Sequence, residues 1–402
     1  MRFKILYILF FITALLYNSF RLFGEITPRN VMTVIMFLAC VIEDRRVLVD
    51  KWIGFYFLFL LFFALSSMIT GYLQPFLHRL IGYFFVGWVG YGATKILVKK
   101  YDAVRLLIYL ILIIGMLDSV VTMGQFFNLP YFTVIPQILG IGVDTELLES
   151  LNVGDEAFGI VLPGIMGNDV YNGYFLMVVG VLSLYYLRFG FKIIGLMPWL
   201  MAVVASFMVQ QRAPFYLLLV ISVVVFFKAI LLGKSRIKWM FVLALLIVVP
   251  VGFNYLFDLL ITGNTRYNIG LETTGRDEIY QQSMDFISNN MLFGGFFKSG
   301  LAPHNMFLTA WIAGGVFGFI AITIMTIMQI TAVIRLLIKK IDNEEFVCLL
   351  FGLAFVGFTM NSMFHNAGMT SGDVVIWTLW AAFLGCRDSI NKQREFSETV
   401  LT

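Results

Sequence analysis

The sequence predicts an all-α fold, a polytopic membrane helix bundle, on three observations. Apolar residues make up 60% of the 402 and charged residues 13%. Mean hydropathy is +0.90. The apolar stretches also run unbroken for the roughly 17–25 residues that carry a helix across about 30 Å of hydrocarbon. A soluble domain of this length would hold about 25% charged residues. Helices rather than a β-barrel follow because each helix satisfies its own backbone in lipid, whereas barrel strands would alternate in character every second residue.

The apolar runs fall near 4–20, 29–42, 52–70, 80–98, 104–126, 171–189, 193–209, 213–232, 239–261, 304–334, 346–364 and 372–386. That makes about twelve spans in a single transmembrane domain over 1–402. The Met1-Arg2-Phe3-Lys4 start resembles a signal peptide but lacks a small-residue cleavage site before Arg21, so 4–20 reads as a retained span. Lys and Arg in short loops favour the cytoplasm. With the N-terminus inside, the even-numbered connections collect Arg45, Arg46 and Lys51; Lys95, Lys99, Lys100 and Arg105; Arg188 and Lys192; Lys228, Lys234, Arg236 and Lys238; then Arg335, Lys339 and Lys340. The tail adds Arg387, Lys392 and Arg394, and 106–187 contains no Lys or Arg. Both termini are therefore expected in the cytoplasm. Cys40, Cys348 and Cys386 lie in or beside apolar runs without CxxC spacing, which argues against a disulfide framework or zinc site.

Two outer connections are long, 127–170 and 262–303, and loops of that length usually bind something or are disordered. The first carries Asp144, Glu146, Glu149, Asp155 and Glu156. The second contains Asp277 to Ile287, which reads as an amphipathic helix with apolar Ile279, Met284, Phe286 and Ile287. No internal repeat and no soluble domain is evident.

A cation on the outer side runs against the usual bias and asks for a reason. Arg212 sits in the tight Gln210-Gln211-Arg212-Ala213-Pro214-Phe215 hairpin, either snorkelling to the headgroups or holding an anion at the membrane edge. Arg266 and Arg276 each read singly as a solvated loop charge. Together with Arg212 they suit a pyrophosphate, because guanidinium groups grip phosphate oxygens bidentately at any working pH. His304, ahead of Asn305 where the second loop re-enters the membrane, is either a hydrogen-bonded polar tip or a general base. Asp118 lies mid-span, where an acid usually faces the bundle interior and finds a basic partner or a polar cavity. His365, Asn366 and Asp373 gather at the last outer turn, lining a site or merely wet. Asp144-Thr145-Glu146 has the acid-x-acid form used by metal-dependent transferases, in a loop already rich in acids.

The hairpin from Gln210 to Phe215 resembles the arginine turn of the O-antigen ligase and polymerase superfamily. The later segments arrive in that family's order: Arg266 to Asn268, Thr274 to Gly295, then Pro303 to Phe319, with Leu162 to Phe175 resembling its Gly/Asn-rich approach to a span. The likeness covers about 160–320. It departs where Gln211 replaces the usual Ser before Arg212 and where Pro214 follows. The resemblance implies a membrane glycosyltransferase, inverting and metal-independent, needing no cofactor, in the bacterial inner (plasma) membrane. Its substrates would be undecaprenyl-pyrophosphate-linked oligosaccharides on the periplasmic face. Catalytic roles fall on His304 and Arg212, and substrate binding on Arg266, Arg276, Asn305 and Asp118. Partners implied are the lipid bilayer and a chain-length regulator and flippase of the same pathway, with no nucleic acid. Polymerase is preferred over ligase because no large outer surface for docking lipid A–core is evident. The reading from another class is a twelve-helix transporter or lipid-linked sugar flippase, whose usual related halves are not found.

Overall fold

A computed structural model describes residues 2–16, 27–132, 134, 162–189, 193–209, 211–232, 276–301, 303–364 and 368–401. Every regular element among them is helical. The bundle comprises α1 (Arg2–Leu16), α2 (Pro28–Asp44), α3 (Lys51–Ile69), α4 (Leu73–Lys99), α5 (Val104–Phe126), α6 (Asp169–Ser183), α7 (Ile193–Met208) and α8 (Arg212–Leu232). It continues with α9 (Arg276–Asn289), α10 (Phe296–Ser299), α11 (Met306–Ile338), α12 (Asn343–Asn361) and α13 (Val374–Leu401). Among the described residues, seven helices are long and apolar enough to cross a membrane: α3, α4, α5, α6 with its continuation to Leu187, α8, α11 and α12. The expected spans at 4–20, 29–42, 193–209 and 372–386 coincide with α1, α2, α7 and α13, whereas 239–261 lies outside the described residues.

The outward faces carry the apolar side chains expected of a bundle solvated by lipid. On α8, Val220, Val223 and Phe227 recur at helical spacing and are each more than half exposed. Val34, Leu38 and Ile42 repeat the pattern on α2, all exposed. Such stripes in water would be an association hazard; in hydrocarbon they cost nothing. Inside, close helix approach rather than hydrophobic expulsion holds the elements, so small residues line the contacts. A methyl added at Gly87 or Gly90 of α4 would meet Trp377 Cδ1 at 2.5 Å or Val374 Cγ2 at 2.9 Å on α13.

Polar caps fix where helices start. Asp50 caps α3 by accepting from Trp52 N–H (2.9 Å) and Ile53 N–H (3.2 Å). Asp342 and Glu345 form a reciprocal capping box at α12. The caps Asp50 and Asp342 share one end of the bundle with paired charges: Lys95–Asp50 at 2.6 Å, Lys339–Glu345 at 2.9 Å and Arg394–Asp342 at 2.9 Å. Burial alone would raise Asp50, but hydrogen bonds from Lys95 and Tyr91 outweigh it and hold the carboxyl below its ordinary value. Lys228, at the far end of α8, donates to the Lys339 carbonyl (3.3 Å), so the basic turns gather at this same end.

One predicted span is not continuous. α11 breaks at Gly314–Gly315, where Gly315 adopts φ +62. The segment after α9 fills the gap: Gly295 N–H donates to Ile312 O (2.7 Å), and Val316 N–H donates to Met291 O (2.9 Å). Only glycine fits, since a Cβ at Gly315 would run into the Leu292 carbonyl. α9 itself covers the helix expected from Asp277 to Ile287, with a corrected inner face. Ser283 and Ile287 are buried, whereas Met284 points outward, 53% exposed.

Candidate functional site

At the end of the bundle away from the paired charges lies a cavity of about 390 Å³, lined among others by Arg29, Tyr83, Asn168, Tyr171, His304 and Asp373. These residues are distant in sequence, and helix starts bring them together. Thr27 caps α2 with Pro28 in its first turn, putting Arg29 at the rim of that helix. Asn168 Oδ1 caps α6 by accepting from Val170 N–H (2.9 Å) and Tyr171 N–H (3.2 Å). Asn305 Oδ1 caps α11 by accepting from Phe307 N–H (2.9 Å) and Leu308 N–H (3.1 Å), which sets His304 one residue ahead of that cap. Asp373 Oδ1 accepts from Val375 N–H at the start of α13 (2.7 Å). The N-termini of α2, α6, α11 and α13, the positive ends of their dipoles, thus converge on one cavity.

The polar lining divides into an acidic and a basic part. Tyr171 Oη donates to Asp373 Oδ1 at 3.1 Å, which ties α6 to the turn before α13. Asp373 Oδ2 makes no hydrogen bond among the described residues, leaving an acceptor for a ligand hydroxyl. Arg29 is 7% exposed, and its guanidinium lies over the Tyr83 ring, 4.7 Å from the centroid. Tyr83 belongs to a π-helical turn, Leu80–Phe84, within α4. The extra residue per turn shifts the register there, a feature that recurs at functional sites. No carboxylate among the described residues pairs with Arg29, and its Nε is buried without a hydrogen-bond partner.

His304 lines this cavity, as a base acting on a bound ligand must, and its carbonyl accepts from Tyr280 Oη of α9 (3.4 Å). Arg212 is a neighbour of the wall rather than part of it. Gln211 Nε2 donates to Asp169 Oδ2 (2.7 Å), anchoring the start of α8 beside the start of α6. Asn305, expected at the substrate, is engaged structurally: besides its cap, Nδ2 donates to the Met363 carbonyl (3.1 Å). Asp118, also expected at the substrate, is fully buried and absent from the cavity lining. Its Oδ1 accepts from Ile165 N–H (2.8 Å), while Gln125 Oε1 accepts from Gly164 N–H (2.9 Å) and Asn172 Nδ2 donates to Leu162 O (2.8 Å). This network pins the 162–168 turn. Gly164, at φ +57, is required there because a Cβ would strike Asp118 Oδ1. Arg276 opens α9, but its side chain lies outside the described residues, as do Arg266, Asp144, Glu146, His365 and Asn366.

Arg29, Tyr83 and Tyr171 were not singled out from the sequence. The signal for Arg29 was present: Thr27-Pro28 is a helix-start pattern, and in the expected topology a cation at that helix start defies the same charge bias that marked Arg212. No protein-family model matches the chain, and no curated protein matches it.

Proposed function

We propose that this protein is a polysaccharide repeat-unit polymerase, O-antigen or capsular, of the bacterial inner membrane. It transfers a growing glycan from undecaprenyl pyrophosphate to the next lipid-linked repeat unit on the periplasmic face. The observation that carries the reading is the cavity at the end opposite the paired basic turns, lined together by His304, by Asp373 with a carboxylate oxygen that makes no hydrogen bond among the described residues, and by Arg29, which has no acid partner among them. At about 390 Å³ it is near the lower end of the roughly 300–1,000 Å³ typical of small-molecule sites. One sugar with its phosphate suits that volume; a long glycan must extend outside.

In this reading His304 accepts the proton of the acceptor hydroxyl as its oxygen attacks the anomeric carbon. The bond from that carbon to the phosphate oxygen breaks, and the electron pair leaves on the diphosphate. Attack from the opposite face inverts the anomeric centre. Charge grows on the leaving group, so fixed cations and helix N-termini stabilise the transition state more than the ground state. Asp373 and Tyr171 offer an acceptor and a hydroxyl to the sugar. The order of segments from Leu162 to Phe319 supports the assignment to the ligase and polymerase superfamily.

The deciding experiment is the glycan profile of a strain lacking the gene. Single repeat units on the acceptor are expected. Long chains retained on the carrier would instead indicate ligase activity, and an unchanged profile would reject both.

A further inference from the structure

We propose that Arg29, outside the arginine set suggested by the sequence, is the residue that holds a diphosphate in the cavity. Three independent observations converge on it. The first is its isolation: a guanidinium 7% exposed, with a buried Nε that finds no partner and, among the described residues, no carboxylate beside it. Lys95, buried at the other end of the bundle, is by contrast given an acid, Asp50 at 2.6 Å. Desolvating a charge without a counter-ion is costly, and such a site is completed by an anion from outside the chain.

The second is preorganisation. The Tyr83 ring, carried on the π-helical turn, lies with its centroid 4.7 Å from the guanidinium carbon and steadies a group whose fork suits bidentate contact with phosphate oxygens. The third is the field. The starts of α2, α6, α11 and α13 surround the same space. Their first N–H groups are capped by Thr27, Asn168, Asn305 and Asp373, so the helices supply potential rather than direct ligands. Arg29 supplies the hydrogen bonds. Its cavity wall is otherwise apolar on the α1 side, at Ala14 and Leu15, which suits a diphosphate that arrives on a prenyl chain.

The choice of a diphosphate rests on the proposed function; the need for an oxyanion at Arg29 does not. The full-length protein in phosphatidylcholine nanodiscs is titrated with farnesyl diphosphate, inorganic pyrophosphate and farnesol. R29Q is expected to weaken farnesyl diphosphate by about tenfold or more while leaving farnesol unchanged. R29K, keeping the charge without the fork or the stack, falls between R29Q and the wild type, and Y83L weakens binding by a few-fold where Y83F does not. Tighter binding of farnesyl diphosphate than of pyrophosphate assigns the ligand to the lipid carrier; equal binding assigns it to a soluble diphosphate. Thermal midpoints of each variant separate lost binding from lost folding. Wild-type affinity for both diphosphates in a folded R29Q protein overturns the proposal. That result leaves the polymerase reading standing, because the deletion-strain glycan profile tests it separately.

Discussion

The two ends of the bundle treat charge in opposite ways. At the end holding the basic turns, Lys95 meets Asp50, Lys100 meets Glu43, and Lys339 and Arg394 share Glu345. At the other end, and among the described residues, Arg29 has an aromatic face in place of a carboxylate and Asp373 keeps an oxygen without a hydrogen bond. Paired charges at a membrane surface hold helix ends in register and contribute modestly to stability, about 0–1 kcal/mol when exposed. Unpaired ones inside a cavity cost stability until something binds. The first arrangement is what folding selects, and the second makes sense only for a ligand.

The comparison is broken most severely by removing chemistry at the cavity end. H304A and R212A are each expected to abolish glycan chain growth while the protein stays inserted, read as repeat-unit ladders against membrane-fraction abundance. A normal ladder from either variant removes that residue from the site. Next in size is a lesion that spares every charge. G315V forces a β-branched residue into φ +62 against the Leu292 carbonyl, costing about 3 kcal/mol or more. Loss of the monodisperse peak on detergent size-exclusion should report it.

The same change made at both ends sharpens the contrast. Asparagine caps helices as well as aspartate does, so neither D50N nor D373N removes a cap. D50N leaves the buried Lys95 only the longer contact to Asp388 at 3.9 Å and should lower stability by about 1–3 kcal/mol with glycan transfer intact. D373N should leave the thermal midpoint near that of the wild type and reduce transfer. Acid gives a related test. Because Asp50 is held below its ordinary value, its contribution is complete above the unfolded carboxylate range near about 4 and fades as pH falls through the lower folded value. D50N should flatten that acid limb of the melting-point profile. Smallest is D342A, which dismantles the α12 capping box for about 1 kcal/mol, measured as a small drop in midpoint.

Much of the scaffold was legible because hydropathy is a local property. The run at 104–126 is α5 to the residue, and the polar–apolar pattern from Asp277 to Ile287 marks α9. The break at Gly314–Gly315 was hidden inside an apolar run, since its cause is a hydrogen-bonding partner from 291–295 rather than a change in composition. Of the two residues marked by standing against the expected charge bias or at the loop's re-entry, His304 lines the cavity and Arg212 does not. Arg29 escaped notice because it heads an ordinary span, and its meaning comes from what it lacks in three dimensions. Asp118 shows the converse. A buried acid marks an interior polar contact, but its partner turned out to be the Ile165 backbone, a contact that sequence spacing does not encode.

The join between the second outer loop and the broken helix makes one lever of two pieces. Each of the two backbone hydrogen bonds across that join contributes about 0.5–1.5 kcal/mol net, and more if it is broken away from water. Peeling α9 away alone is therefore harder than tilting it together with the eight-residue stub from Met306 to Ala313. The same α9 also reaches the backbone of His304, through the Tyr280 hydroxyl at 3.4 Å.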